Sequence, residues 1–205
     1  MKGYTDFFML LSPSQRVKAV VREHKNYAAD VIGAYESEYS TAHISINMMQ
    51  RQKTFLTEPG IREFRKRLCL IPAITLTVNG FDYFIHGKDY RTIYARIVNS
   101  PETSHWFKML KQHLKIKEFN VPHITICRNI PVGDFDLLWP YFKSLEWQET
   151  FTVNSLTVLQ RESFVSYAKW EHYTELPFEG KIQYSITPPK PSLIKPLNSQ
   201  QTSLF

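Results

Sequence analysis

The chain has 205 residues, of which 43% are hydrophobic and 14% aromatic, a composition that supports a buried core and excludes a wholly disordered protein. Its net charge of +6 and pI of about 9.2 are a mild positive excess that favours anionic partners such as nucleotides or RNA. No apolar run approaches the roughly 20 residues of a membrane span, and no secretory signal is visible, so we expect a cytoplasmic protein. The separation of Cys69 and Cys127 fits no zinc or redox pattern.

The first half of the chain is predicted to alternate strand, helix, strand, helix and strand. Apolar side chains recur at helical spacing after the first apolar run, whereas the segment that begins at His43 reads like a strand. The Asn79-Gly80 dipeptide inside the last of these strands is typical of a turn or a bulge. The predicted bounds are 7–11, 17–32, 43–46, 59–70 and 74–84.

The second half repeats this alternation and then changes composition. Pro140 must kink the second of its helices or mark that helix's start. Proline, serine and glutamine dominate from Thr187 onward and predict a flexible tail. We therefore predict one bilobal domain over 1–186 and a tail over 187–205. The predicted strands are 92–98, 122–126 and 151–159, the helices are 104–115 and 134–145, and 167–173 and 181–186 are expected to add sheet.

The order of strand, histidine-containing strand, helix and strand occurs twice. His123 follows His43 by 80 residues, and each is followed by a predicted helix and a further strand. A weak internal duplication of this kind implies two similar lobes that face each other. Helices mixed with non-sequential strands argue for an α+β fold. We expect two pseudo-symmetric lobes, each a small antiparallel sheet with outer helices, around a central cleft.

Two short motifs share the pattern His, apolar, Ser or Thr, apolar. Because side chains alternate along a strand, His43 and Ser45 lie on one face, and the same holds for His123 and Thr125. Chance would produce about 0.2 such motifs in a chain of this composition. Two of them in matching halves therefore indicate a site with two imidazoles and two hydroxyls around one cleft.

The paired motifs resemble the 2H phosphoesterase superfamily, in particular its 2′-5′ RNA ligase and cyclic phosphodiesterase branch. The stretch 122–128 is especially similar, because many members carry an arginine at the offset of Arg128. The resemblance covers roughly residues 5–165. The first motif departs from the family in having Ser45 where threonine is commoner, but serine keeps the hydroxyl.

The chemistry that this resemblance implies agrees with the residue types. Histidine, whose ordinary pKa is about 6.5, can act as base or acid near neutral pH, so His43 and His123 can serve as a pair. Ser45 and Thr125 would donate hydrogen bonds to the non-bridging phosphate oxygens, where charge develops in the transition state. Pseudo-symmetry leaves open which histidine is the base.

Two further residues are candidates for contact with the substrate. Arg128 would add a charged contact, although strict strand alternation points its side chain away from His123. Tyr39, four residues before His43, is a candidate to stack on a base. No histidine or cysteine spacing predicts a metal site, and no glycine-rich phosphate loop is present, so we expect no cofactor.

The expected reaction is metal-independent hydrolysis of a 2′,3′-cyclic phosphate, at an RNA end or in a nucleotide, or of a 2′-5′ linked oligonucleotide. Three alternatives stay open: another cyclic nucleotide or signalling oligonucleotide as substrate, reversible 2′-5′ RNA ligation, and a non-catalytic RNA-binding module. We expect a monomer that acts on RNA ends or nucleotide phosphodiesters and binds neither membrane nor metal.

Overall fold

The computed structural model describes residues 3–117 and 121–181. The predicted tail over 187–205 lies outside these residues, as does all but Lys181 of the predicted sheet segment 181–186. Within the described ranges the chain is an α+β protein, which confirms the predicted fold class. Its helices are α1 (Gln15–Ile32), α2 (Thr54–Leu68), α3 (Pro101–Leu114) and α4 (Val132–Ser144). Its strands are β1 (Tyr4–Leu11), β2 (Ile44–Lys53), β3 (Ile74–His86), β4 (Tyr90–Ile97), β5 (His123–Pro131), β6 (Gln148–Val153), β7 (Ser155–Glu162) and β8 (Glu171–Pro177).

The strands form one antiparallel sheet in the order β6-β3-β4-β5-β2-β1-β7-β8. Its two halves meet between β2 and β5, where a single register pair, Ile44 with Ile124, joins them. All other neighbouring strands share longer ladders, such as that between β1 and β2. The two predicted lobes are thus two four-stranded halves of one sheet with a narrow junction.

The halves also exchange strands, which explains why they form one body. β3 comes after β2 and α2 in the chain but pairs with β4 and β6, in the half of the sheet that contains β5. β7 comes after β5, α4 and β6 but pairs with β1, in the half that contains β2. Only Asn154 separates β6 from β7, although these strands stand near opposite ends of the sheet order. The sheet must therefore curl, so that one nearly continuous strand serves both halves.

The helices cover one face of this sheet. Alternate β1 side chains, Phe7, Met9 and Leu11, are buried, as the period of two requires. Leu110 on α3 and other helical side chains join them in one core cluster that spans both halves. Ser14 begins α1 by accepting a hydrogen bond from the backbone N–H of Val17 at 3.3 Å. None of the helices in the described ranges is long and apolar enough to cross a membrane.

Two predicted boundaries were wrong, one at Pro59 and one at the last strand. Pro59 does not start α2 but lies inside it, where its missing N–H removes one helical hydrogen bond. Pro140 lies inside α4, as in the predicted helix 134–145, and does not mark the start of that helix. The strand predicted over 167–173 is β8, which runs further along the chain because pairing with β7 buries Leu176. The Asn79-Gly80 signal was confirmed as a bulge, with Gly80 at a φ of 65°.

Candidate active site at the junction of the two sheet halves

The junction pair lies at the middle of both histidine motifs. Ile44 and Ile124 are 1% and 0% exposed and point to the helix-covered face. The residues on either side of each isoleucine therefore point to the opposite, open face. Continuing the antiparallel register by one residue on each side sets His43 opposite Thr125 and Ser45 opposite His123, which makes the two histidines diagonal neighbours.

Each motif ends in a β-bulge at the same distance from its histidine. The register between β1 and β2 shifts directly after Ser45, so Ile46 has no partner residue. The register between β4 and β5 shifts directly after Thr125, so Ile126 has none either. Bulges bend a strand and change the direction of the side chains that follow. The internal duplication therefore includes the β-bulge as well as the sequence motif.

The second bulge corrects the expected direction of Arg128. Ile126 and Cys127 are both buried, so the alternation of side chains shifts by one residue after the bulge. Arg128 therefore returns to the face of His123, where it is exposed and raises the positive potential at both catalytic candidates. The residue at the equivalent position of β2 is Met48, which carries no charge.

The two imidazoles are oriented by the same backbone hydrogen bond. The Nδ1 atom of His43 lies 2.7 Å from the carbonyl oxygen of Thr41, and that of His123 lies 2.7 Å from the carbonyl oxygen of Val121. A carbonyl oxygen can only accept, so each Nδ1 must carry the proton. Each neutral ring then keeps its lone pair on Nε2, the nitrogen available to a substrate.

Aromatic rings also hold both imidazoles. Phe8 meets His43 nearly at right angles, with centroids 5.3 Å apart, and Phe84 meets His123 in the same manner at 4.9 Å. Tyr94 stacks on Phe84 at 4.2 Å and contacts His123 from a second side at 5.2 Å. Packing of this kind restricts the rings to one rotamer, which favours a fixed catalytic geometry.

Burial is the main cause that lowers the pKa of both histidines. For His43, the positive charges of Arg128, Lys25 and His123 lower the pKa further, against the opposing effect of the Thr41 carbonyl. For His123, Arg128 is the positive group that adds to burial. Both rings are therefore easier to deprotonate than a free histidine, and more cations act on His43.

A cavity of about 640 Å³ opens beside His123, within the size range of small-ligand sites. Phe84 forms part of its wall, and Thr125 and Arg128 reach it. Farther in, the buried hydroxyl of Thr92 lies 3.0 Å from Nε2 of His86 and accepts from the backbone N–H of Asn129 at 3.0 Å. Glu36 lies at its exposed rim. The wall of the cavity is thus part apolar and part polar.

The structure brings five of the six candidate residues from the sequence to the junction. His43, His123, Ser45 and Thr125 share the open face, and Arg128 joins them through its bulge. Tyr39 does not line the cavity. Its ring is 80% exposed, and its predicted contact with a base stays a prediction.

The side chain of Arg128 makes no hydrogen bond or ion pair with any described residue, and neither hydroxyl of the motifs has a partner there. These donors are therefore free to bind an anion. Across residues 3–117 and 121–181, no group of three His, Cys, Asp or Glu side chains could hold a metal ion.

Sequence reasoning missed the residues that surround the pair. Phe84 and Tyr94 lie on β3 and β4, and only the pairing of those strands with β5 brings them to His123. Lys25 on α1 donates to Ser37 in the following loop, and Ser37 in turn contacts the bulge of the second motif; neither residue belongs to a recognised sequence pattern. No local signal marks these residues, because their contacts join segments far apart in the chain.

Comparisons with known proteins agree with this fold. The family model of the 2′-5′ RNA ligase superfamily matches residues 15–163. The crystal structure of TT0787 of Thermus thermophilus superposes with a TM-score of 0.63 at 12% identity, covering 86% of this chain and 100% of that one. E. coli LigT complexed with 3′-AMP superposes with a TM-score of 0.55 at 12% identity, covering 85% and 98%. At such identities the likeness concerns the fold alone. No curated protein matches the sequence.

Proposed function

The chain belongs to the 2′-5′ RNA ligase superfamily, whose members are phosphoesterases, and we propose that it is a metal-independent phosphodiesterase. Its substrate is a 2′,3′-cyclic phosphate, at an RNA end or in a nucleotide, or a 2′-5′ linked oligonucleotide. His43 and His123 act as the acid–base pair. The observation that carries the proposal is the single junction pair of Ile44 with Ile124, which supports convergence of both motifs on one open face.

The backbone hydrogen bonds support the acid–base chemistry. With Nδ1 of His43 and of His123 held by carbonyls, both Nε2 atoms are available at the open face. One neutral Nε2 accepts the proton of the attacking water, and the other, when protonated, donates to the leaving oxygen. Each proton transfer contributes about 10²- to 10⁴-fold to the rate. The strain of the five-membered cyclic phosphate lowers the rest of the barrier.

Three donors on the open face suit the charge of the phosphoryl group. The hydroxyls of Ser45 and Thr125 donate to the non-bridging oxygens, and the guanidinium of Arg128 offsets their negative charge. Because these donors are already free of protein partners in the described chain, binding a phosphate breaks no existing hydrogen bond. Such preorganisation stabilises the transition state without a rearrangement.

The position of the cavity gives the two histidines separate roles. The cavity adjoins His123 and not His43, so the nucleoside binds on the His123 side. In displacement at phosphorus the attacking and leaving oxygens lie roughly in line, on opposite sides. The leaving ribose oxygen is attached to the nucleoside and faces His123, which protonates it. Water attacks from the other side, where His43, the ring with more cations around it, is the base.

Other reactions and substrates would use the same residues. Reversible ligation is the same chemistry run backwards, with the roles of acid and base exchanged. Other cyclic nucleotides or signalling oligonucleotides would use the same phosphate site. The cytoplasmic location and the monomeric state expected from the sequence are predictions as well.

A substrate screen tests the proposal. The protein is incubated, with a chelator present, with 2′,3′-cyclic nucleotides, RNA ending in a cyclic phosphate, and 2′-5′ linked oligonucleotides. We expect turnover of at least one of them, lowered about 10²-fold or more by His43→Ala and by His123→Ala. Activity that requires a metal would reject the mechanism. RNA binding that survives both substitutions, with no turnover of any phosphodiester, would establish the non-catalytic module instead.

A further inference from the structure

Lys25 is a buried cation close to the junction. This residue of α1 is 1% exposed, which is rare for a lysine, since burying an ammonium group is costly. Its Nζ donates to the carbonyl oxygen of Ser37 and to the hydroxyl of Ser40, the latter at 2.8 Å. Burial lowers the pKa of Lys25 to about 8, so it remains mostly charged at neutral pH. Both acceptors belong to the loop 33–42, between α1 and the first motif.

The same loop is hydrogen-bonded to the β-bulge of β5, in the other half of the sheet. The hydroxyl of Ser37 donates to the carbonyl oxygen of Ile126 at 3.1 Å and accepts from the backbone N–H of Arg128 at 2.9 Å. A bulge leaves backbone groups without ladder partners, and this one hydroxyl satisfies two of them. Ser37 is 6% exposed, so water cannot easily replace it.

The loop then ends at the first catalytic candidate. Thr41, near its end, provides the carbonyl that orients His43. Hydrogen bonds therefore connect Lys25 to Ser37, and Ser37 to the bulge that precedes Arg128. Lys25 also bonds Ser40, the residue before the Thr41 whose carbonyl orients His43. The two halves of the sheet share only one register pair at this point, so the loop provides a second connection between them.

We propose that Lys25 and Ser37 are positioning residues that fix the first histidine motif relative to Arg128 and the second motif. Their catalytic role rests on the proposed function, but the connection itself does not. Lys25 also acts through its charge. The groups that face His43 are Lys25 from α1 and Arg128 and His123 from β5, together with the Thr41 carbonyl. The groups that face Lys25 are Arg22 on its own helix and Cys127 and Arg128 on β5.

The test compares two variants with a matched control. Ser37→Ala removes the hydroxyl that satisfies the bulge, and Lys25→Met removes the buried cation. Arg22→Met is the control, because Arg22 holds the same loop through the carbonyls of Glu38 and Tyr39 without reaching the second half. We expect both test variants to lower kcat about 10- to 100-fold, as misplacement by about 1 Å does, with a smaller change in KM. The control should change kcat less than threefold.

The pH profile separates positioning from simple stabilisation. Lys25→Met should move the acidic limb of kcat/KM to higher pH, because loss of the cation raises the pKa of His43. Ser37→Ala should lower kcat and leave that limb in place. An unchanged kcat in both variants, whatever happens to Tm, would overturn the proposal. If Lys25→Met fails to fold, Ser37→Ala still decides the positioning role.

An NMR titration keeps this proposal separate from the proposed function. In a protein that cleaves no phosphodiester, the imidazole pKa values of His43 and His123 can still be measured. Lys25→Met should raise the pKa of His43 and leave that of His123 nearly unchanged, because Arg128 is the cation that acts on the second ring. Equal shifts of both rings, or of neither, would show that Lys25 has no specific link to the first motif.

Discussion

The two motifs share a backbone but differ in their surroundings. Both have an imidazole held by a carbonyl, an edge-on phenylalanine ring and a bulge after the hydroxyl residue. Only the second has a cation at the position after the bulge, Arg128 where the first has Met48, and only the second adjoins the large cavity. Only the first has Lys25 among the charges that act on its histidine. The backbone around the two histidines is thus duplicated, whereas the surrounding side chains are not. These side chains distinguish one histidine from the other.

The largest expected effects come from removing either imidazole. His43→Ala and His123→Ala should each lower kcat about 10²- to 10⁴-fold with a 2′,3′-cyclic phosphate. A second substrate separates the two roles. When sulfur replaces the bridging ribose oxygen that leaves, the leaving thiolate needs little protonation, because a thiol has a pKa of about 8.5. The defect of His123→Ala should then shrink at least tenfold, and that of His43→Ala should persist.

Analogues with sulfur at the 2′ and at the 3′ position are both needed, since either oxygen can leave. Rates measured by product formation under saturating substrate give the comparison directly. Rescue of His43→Ala in place of His123→Ala would reverse the assigned roles. Equal rescue of both variants would show that the pair is functionally symmetric despite the cavity.

The removal of Arg128 tests the charge difference between the halves. Arg128→Met copies the first half at this position and should lower kcat/KM about 10- to 100-fold, because a hydrogen bond to a charged group contributes about 1.5–3 kcal/mol. Arg96→Met is the matched control. Arg96 lies on β4, directly opposite His123 on β5, but its Nε donates to the carbonyl oxygen of Asn79. If both variants lose the same activity, the effect reflects overall charge and not contact with the phosphate.

The shared face of each histidine and its hydroxyl residue could be predicted from the sequence, because it depends on strand alternation alone. His43 and Ser45 needed only a period of two to share a face, and repetition around His123 indicated the partner. The α+β class and the duplication followed from the same pattern and were confirmed. Local rules therefore predicted the four motif residues now placed at the junction, His43, Ser45, His123 and Thr125.

The direction of Arg128 was not accessible, because a bulge is a property of two paired strands. Nothing in the order Ile126, Cys127, Arg128 indicates that the register between β4 and β5 shifts there. The role of Ser37 is hidden for the same reason, since its contacts with the bulge span 89 and 91 residues of chain. Strand exchange added a further difficulty, because the aromatic ring of Phe84 reaches His123 from a strand that follows the first motif.

The hydroxyl residues should differ less than the histidines do. Thr125 is half-buried in the cavity and Ser45 is exposed, so water competes more strongly for the substrate at Ser45. Thr125→Val should lower kcat about tenfold, and Ser45→Ala about threefold. Steady-state kinetics with one cyclic nucleotide measures both, and Thr125→Ser, which keeps the hydroxyl, should stay within about twofold of the wild type. A larger loss in Ser45→Ala would place the developing charge nearer to the first motif.

The smallest predicted effect is the displacement of the pH profile. In the proposed mechanism the active form of the free enzyme has His43 neutral and His123 protonated, so the acidic limb of kcat/KM reports the first ring and the alkaline limb the second. Burial lowers both pKa values, and Arg128 lowers them further. Activity should therefore be greatest below about pH 6.5 and fall on both sides.

The bound substrate should shift the bell-shaped pH profile to higher pH. A phosphodiester anion offsets the charge of Arg128, raises both imidazole pKa values, and moves the profile of kcat to higher pH than that of kcat/KM. Arg128→Met should raise both limbs of kcat/KM together, because the guanidinium acts on both rings, whereas Lys25→Met moves only the acidic limb. A kcat/KM profile that is flat from pH 5 to 9, or limbs that respond equally to both substitutions, would contradict the division of charges between the two halves.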